Sequence, residues 1–264
     1  MEKIPENKIK IKPTGSYFEV DEDGYLINPA SLDKVQEKWK PVLDDVVEVY
    51  KKHFGDKLIN VYVRGSVPKG QAVEGVSDLD SFAYVDLKDE EIENGWQSES
   101  RKELKEKYPF VEDFEIHAES LPENPGFIIS QSLCLYGKEI EVEKRRPGND
   151  MILHIANDER YENAEKWFRE VDLSSEEKIK NKCVWLMKNV LRSGFEITME
   201  RSKRYTRDLY LCYKDFSEYY PDKEPLMREV LDLALNPVSD IEKILEVKNK
   251  IAPFLIEEAK KVIN

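Results

Sequence analysis

Two apolar runs of strand length, residues 58–63 (LINVYV) and 79–87, are joined by Arg64, Gly65, Ser66, an eleven-residue loop and Asp78. No other stretch of the chain constrains the fold as tightly. Both runs are rich in β-branched and aromatic residues and read as strands. Glycine at the end of the first run permits a tight turn and a close approach of backbone to a ligand. The Ser66 hydroxyl and the neighbouring amides can then bind phosphate oxygens. Asp78 and Asp80 stand two residues apart, which on an extended strand turns both carboxylates to one face and Leu79 to the other. Two hard carboxylates side by side, with no local Lys or Arg to neutralise them, repel each other. A divalent cation such as Mg²⁺ removes that repulsion and prefers oxygen ligands.

A third acid is expected from a neighbouring strand. Residues 111–118 alternate, with Phe114 and Ile116 on one side and Asp113, Glu115 and His117 on the other. Two metal ions held by such a cluster could clamp the attacking and leaving oxygens of an in-line displacement. Phosphoryl-type transfer needs little else beyond positioning and charge neutralisation.

The rest of the chain divides by pattern. Residues 17–20 and 25–27 flank Asp-Glu-Asp-Gly as a small hairpin. Ser31 opens a helix with Leu43, Val46, Val47 and Tyr50 at helical spacing and Gly55 past its end. Residues 88–107 are highly charged and form an exposed helix, and 127–136 supply a further apolar element. After about residue 150 helical periodicity dominates, with segments near 159–171, 174–193, 205–219, 223–235 and 239–263. Ser174 with Glu177 signals a capping box, and Gly194 stands where a glycine would end that helix. Strands with helices followed by helices alone predict an α+β domain over 1–150 and a helical domain over 151–264.

Gly65-Ser66, the loop and Ser77-Asp78-Leu79-Asp80 resemble the signature of the polymerase-β-like nucleotidyltransferase superfamily. They are most similar to its bacterial branch of aminoglycoside (streptomycin/spectinomycin-type) adenylyltransferases. Firm motif resemblance covers residues 61–120; beyond that it is one of architecture. The resemblance implies a mixed sheet with helices followed by an all-α domain that closes over nucleotide and acceptor. It implies that Gly65 and Ser66 cradle the triphosphate and that Asp78 and Asp80 bind metal. Phe114-Glu115-Ile116 matches the strand that carries the third carboxylate, so Glu115 becomes the expected metal-site acid and catalytic base, with Asp113 as the alternative. The expected reaction transfers a nucleoside monophosphate, AMP from ATP, with Mg²⁺ or alternatively Mn²⁺. The acceptor hydroxyl belongs to an aminoglycoside-like small molecule, a tRNA end or a protein side chain. A non-catalytic nucleotide sensor and a scaffold protein are the rival readings.

In the helical half, residues 182–207 hold seven basic and two acidic residues within a chain of net charge −13. Lys188 and Arg192 are like charges at i, i+4, an unfavourable pairing unless an anion lies between them. They are the expected contacts to the β/γ-phosphates, with Arg204 and Arg207 behind them. Ile179, Cys183, Leu186 and Val190 form the apolar face of the same helix. Asp208 reads as a helix N-terminal acid before it reads as an acceptor ligand. Trp185 and the tyrosines from 205 to 220 read as packing, and His117 as a structural neighbour of the acids.

The bulk numbers exclude several classes. No apolar run approaches the roughly 18 residues that a membrane span needs, and the first residues show no apolar signal region. Cys134, Cys183 and Cys212 lie far apart without a CxxC pair, which argues against zinc or a disulfide framework and for a cytoplasmic protein. The acidic balance disfavours broad adhesion to nucleic acid.

Overall fold

A computed structural model of the chain describes residues 15–93, 95–123, 131–148, 166, 168 and 175–263. Ser174, His154 and the expected apolar element over 127–130 fall outside them. Of the expected helix at 159–171, Lys166 and Phe168 alone are described, both helical. The chain forms two compact units, Ile27–Lys144 and a second drawn from Met1–Leu26 and Arg145–Asn264.

The first unit is α+β. Strands β1 (Leu58–Arg64), β2 (Leu79–Val85), β3 (Phe114–Ser120) and β4 (Leu133–Gly137) form one mixed sheet in the order β3-β2-β1-β4. β1 runs antiparallel to β2 and β4, and β2 runs parallel to β3. A parallel pair needs a long crossover, and helix α2 (Gln97–Lys107) supplies it. Among the residues of α2 only Leu104 is buried, as its charged sequence predicts.

Helix α1 (Lys40–Phe54) starts with Pro41 in its first turn, where a missing N–H costs nothing, and stops at Gly55, which takes a positive φ of 51°. Two short 3-10 turns, Leu32–Lys34 and Glu37–Trp39, fill the segment that the sequence assigns to one helix opening at Ser31. Val42, Leu43, Val46, Val47 and Tyr50 bury their side chains with Val61, Val63, Leu79, Ala83 and Ile116 in one core. Each such side chain contributes roughly 1.5–3 kcal/mol by leaving water. The alternate sheet residues Tyr62, Phe82 and Tyr84 form a second, smaller cluster. Its Tyr62 and Phe82 rings stack with centroids 5.3 Å apart.

The second unit is helical, with α3 (Glu176–Glu196), α4 (Met199–Ser202), α5 (Leu209–Tyr219), α6 (Glu224–Leu235) and α7 (Ile241–Ile263) among its described residues. Ser175 caps α3, its hydroxyl accepting the Lys178 amide at 3.4 Å. Ile179, Cys183, Leu186 and Val190 are buried along one face as their spacing predicts. Gly194 corrects the expected helix end. It lies inside α3, which runs on to Glu196, and a Cβ there would sit 2.5 Å from Met227 Cε and 3.0 Å from Phe216 Cδ2. The glycine serves close helix packing instead of termination.

Residues 15–26 group with these helices. Phe18 N–H donates to the Tyr205 carbonyl at 2.8 Å, and Ser16 N–H donates to Asp208 Oδ2 at 2.7 Å. The expected hairpin is present as a single antiparallel bridge, Val20↔Leu26, closed around a turn that Asp21 Oδ1 stabilises by accepting the Tyr25 amide at 2.8 Å.

Replacing Gly194 by Val forces two methyl groups against Phe216 and Met227. The expected cost is about 1–3 kcal/mol by overpacking, read as a lower urea midpoint with an unchanged m-value; an unchanged midpoint would refute the close packing.

Candidate active site

The parallel register of β2 and β3 sets Asp80 opposite Glu115, and the antiparallel register of β1 and β2 sets Arg64 opposite Asp80. Three adjacent strands therefore present Arg64, Asp80 and Glu115 in one row. Gly65 follows β1 with φ 87°, and a Cβ there would stand 3.1 Å from Asp80 Oδ2. The bare backbone at this point leaves room for the carboxylate. Asp78 sits one residue ahead of β2, exposed, instead of within the strand.

The row is electrostatically crowded. The Asp80 carboxyl is pushed up to about 7, first by burial, then by the charges of Asp78 and Glu115 and a hydrogen bond to Glu115. Arg64 offsets part of this, a cation that linear proximity alone did not pair with the two aspartates. Among the described residues no group of three or more His, Cys, Asp or Glu forms a ready cage for a metal ion. Mg²⁺ commonly takes one or two carboxylates and completes its shell with substrate phosphate and water. Asp78 and Asp80, hard oxygen donors that repel each other, fit that partial coordination.

The supporting contacts fix β3. Ser81 Oγ donates to the Glu115 carbonyl at 2.9 Å, and the buried Tyr50 hydroxyl accepts the His117 amide at 3.1 Å while lying 3.0 Å from Ser81 Oγ. Asp113 turns to its own chain: its Oδ1 accepts the Phe114 amide at 2.8 Å, and its carbonyl accepts Leu79 N–H at 2.9 Å. Register thus places Glu115, and not Asp113, across from Asp80. His117 is exposed, with Nε2 3.6 Å from Glu119 Oε2.

The loop after Gly65 is ordered. Ser66 leads into a 3-10 turn, Val67–Lys69, and its hydroxyl makes no capping bond. Gly70 ends that turn at φ 71°, where a Cβ would meet the Lys34 carbonyl at 2.6 Å. Ser77 Oγ accepts the Val73 amide at 2.9 Å, and the Ser77 carbonyl accepts Glu112 N–H at 2.9 Å. This ties the end of the loop to the segment leading into β3.

A cavity of about 370 Å³ opens beside β3, lined by Arg64, Asp80, Glu115 and His117 together with Gln97 and Arg101 of α2. The sequence reading missed Arg64, Gln97 and Arg101. For the last two a signal existed, since i, i+4 spacing puts them on one helix face.

The cations of the helical unit divide. Arg192 is half-buried, and burial, then the neighbouring Arg207 guanidinium, lowers its pKa to about 10. Its Nε is buried without a hydrogen-bond partner. Lys188 is half-buried. Arg204 is engaged elsewhere: its guanidinium lies 5.1 Å from the Tyr17 ring centroid and hydrogen-bonds that residue. Tyr17 O–H donates to Asp215 Oδ1 at 2.5 Å. Asp208 stands at the N-cap position of α5 but gives no side-chain cap, its carboxylate serving Ser16. Trp185 is 42% exposed, whereas Tyr205 is buried.

No family model and no curated protein matches the chain. Among solved structures, the spectinomycin adenyltransferase AAD(9) from Enterococcus faecialis, determined with ATP and spectinomycin, is similar with a TM-score of 0.41 and 14% identity. The match covers 83% of this chain and 98% of that one. A likeness of this size decides neither fold nor activity.

An acid whose folded pKa is raised loses stability as pH climbs from the unfolded to the folded value. For Asp80 that window runs from its ordinary 3.8 to about 7. In metal-free buffer, Asp80→Asn should raise the urea midpoint above the wild type at pH 8, the gain fading as pH falls towards 4. An equal gain at both ends of the window would refute the crowding.

Proposed function

We propose that the chain is a divalent-metal-dependent nucleotidyltransferase that moves a nucleoside monophosphate, AMP from ATP, onto the hydroxyl of a small acceptor. The observation that carries this reading is the row of Asp80 and Glu115 on adjacent strands beside the Gly65 turn, with Asp78 close enough to raise the Asp80 pKa. The unit Ile27–Lys144 is then the polymerase-β-like nucleotidyltransferase domain, inside the 1–150 span read from the sequence, followed by the helical domain read over 151–264.

In this mechanism Gly65 and Ser66 hold the triphosphate at the turn, with backbone amides and the Ser66 hydroxyl as donors. Glu115 accepts the proton of the acceptor hydroxyl, whose oxygen forms the new bond to the α-phosphorus. The bond from the α-phosphorus to its bridging oxygen breaks, and pyrophosphate leaves with that electron pair. A divalent cation on Asp78 and Asp80, joined by Glu115, would neutralise the charge that builds on the phosphoryl oxygens. Within the helical unit, burial and the Arg207 guanidinium lower the Arg192 pKa while Glu196 acts as a nearby counter-charge, and Lys188 and Arg192 are proposed there as contacts to an anion. Arg204 is a weaker candidate for such a contact because Tyr17 already occupies it.

The acceptor panel begins with aminoglycosides and extends to tRNA and protein. Among the described residues no helix is long and apolar enough to cross a membrane. Three free cysteines suit a reducing, cytoplasmic setting.

Transfer from α-³²P-ATP with Mg²⁺ tests the reading. Label should reach one acceptor class and fall at least about 100-fold in Glu115→Gln, the scale of a lost general base, and in the Asp78→Ala/Asp80→Ala double variant. Metal-dependent ATP binding without transfer to any acceptor would replace the enzyme by a nucleotide sensor.

A further inference from the structure

Helix α2 contributes two side chains to the cavity beside β3, and both are electrically unfinished. Gln97 Oε1 and Arg101 Nε are buried from water and have no hydrogen-bond partner. A buried polar atom left unsatisfied is costly to the fold, and more so when it belongs to a charged group. One is an acceptor and the other a donor, one helical turn apart, yet they do not satisfy each other.

The other charges nearby are committed. Lys105 Nζ donates to the Glu112 carbonyl at 2.6 Å, and Lys107 pairs with Asp45. Within the cavity Asp80 and Glu115 bind each other, Asp113 serves the Phe114 amide, and Glu119 lies beside His117. Among the described residues none of these carboxylates forms an ion pair with Arg101, although the chain carries 54 acidic residues. An arginine dried at Nε and left unpaired in acidic surroundings is preorganised for an oxyanion from outside the chain.

We propose that Gln97 and Arg101 form the acceptor-binding end of the active site, and that they select a small acceptor carrying an oxyanion, carboxylate or phosphate, besides its reacting hydroxyl. The assignment of Glu115 as the base for that hydroxyl rests on the function proposed above. Glu115, Gln97 and Arg101 line the same cavity, so one compound can reach all three. Its oxyanion accepts from Arg101, a hydroxyl or amine hydrogen donates to the Gln97 carbonyl, and the reacting hydroxyl faces Glu115. At about 370 Å³ the cavity lies at the small end of the roughly 300–1,000 Å³ range of small-molecule sites.

Isothermal titration of the full chain separates the possibilities without requiring turnover. Glycerol 3-phosphate and glycerate serve as oxyanion-bearing hydroxyl probes, with glycerol as the neutral control, glucosamine as the cationic control and inorganic phosphate as the anion alone. Either anionic hydroxyl probe should bind more tightly than glycerol, glucosamine and inorganic phosphate, and the better of the two names the oxyanion. Arg101→Gln should weaken that binding at least about tenfold, the scale of one charge-assisted hydrogen bond. Gln97→Leu should weaken it less, Arg101→Lys should restore part of it, and ATP affinity should stay unchanged throughout. Stronger binding of glucosamine, equal binding of glycerol, tighter binding of inorganic phosphate than of both anionic probes, or an Arg101→Gln isotherm like the wild type would overturn the proposal. Should Arg101→Gln fail to fold, Gln97→Leu and Arg101→Lys decide it by the same isotherms. Probe binding lost with Arg101 but no nucleotidyl transfer would sink the enzymatic reading and keep an oxyanion site. Transfer without probe binding would sink the acceptor assignment alone.

Discussion

Carboxylate crowding on adjacent strands is the constraint around which the rest of the α+β unit is arranged. Asp80 is held opposite Glu115 by ladder register, so the two acids cannot separate without breaking the sheet. Burial and two like charges then push the Asp80 carboxyl up to about 7. Such a site is expensive for a fold to keep, and the surroundings are built to tolerate it. Gly65 yields space beside Asp80, and Arg64 returns part of the lost charge balance.

What holds the acids in place is apolar and lies on the opposite face of the sheet. Leu79, Ser81 and Ile116 alternate with Asp80 and Glu115, and they are buried together with helix α1. Tyr50 of that helix reaches past the core to accept the His117 amide, while Ser81 donates to the Glu115 carbonyl. The backbone from the Glu115 carbonyl to the His117 amide is therefore anchored by hydroxyls at the margin of the core. A strand at the edge of a sheet frays more readily than a central one. These two bonds stiffen β3 where the proposed base must keep its position.

Much of this was legible in the sequence, and the parts that were not have physical reasons. The strands around Gly65-Ser66 and Asp78-Leu79-Asp80 were readable as runs of β-branched and aromatic residues, and β3 because period-two burial leaves a direct trace in residue type. Helix α1 and the buried face of α3 were readable for the same reason at period 3.6. Gly194 misled, since a glycine that ends a helix and one that lets two helices approach look alike without knowledge of Phe216 and Met227. Arg64 escaped notice as a partner of Asp80 because antiparallel register is a three-dimensional fact. Residues 17–20 and 25–27 read as a small hairpin, yet the chain up to Leu26 groups with helices whose sequence lies far downstream, through contacts such as Phe18 to Tyr205. Arg204 was ranked behind Lys188 and Arg192 from sequence, and its exposure and its Tyr17 contact set it apart from those two half-buried residues.

The arginines carry the last step. A chain with a net charge of −13 offers almost any cation a carboxylate nearby, and most lysines with an assigned contact here have taken one, as Lys38 does with Glu74 and Lys250 with Glu246. Among the described residues Arg101 and Arg192 form no ion pair, although Glu196 acts on Arg192 from nearby, and both bury Nε without a hydrogen bond. Chance exposure does not explain this, because an exposed arginine would keep its water. An Nε buried without a partner lowers stability unless something binds it. Retaining two such groups, one in each compact unit, is consistent with anionic ligands that return the cost when they bind. Under that logic the overall acidity and the local cations are not in conflict. The surface charge disfavours long polyanions such as nucleic acid, while two arginines with an unpartnered, buried Nε admit small ones.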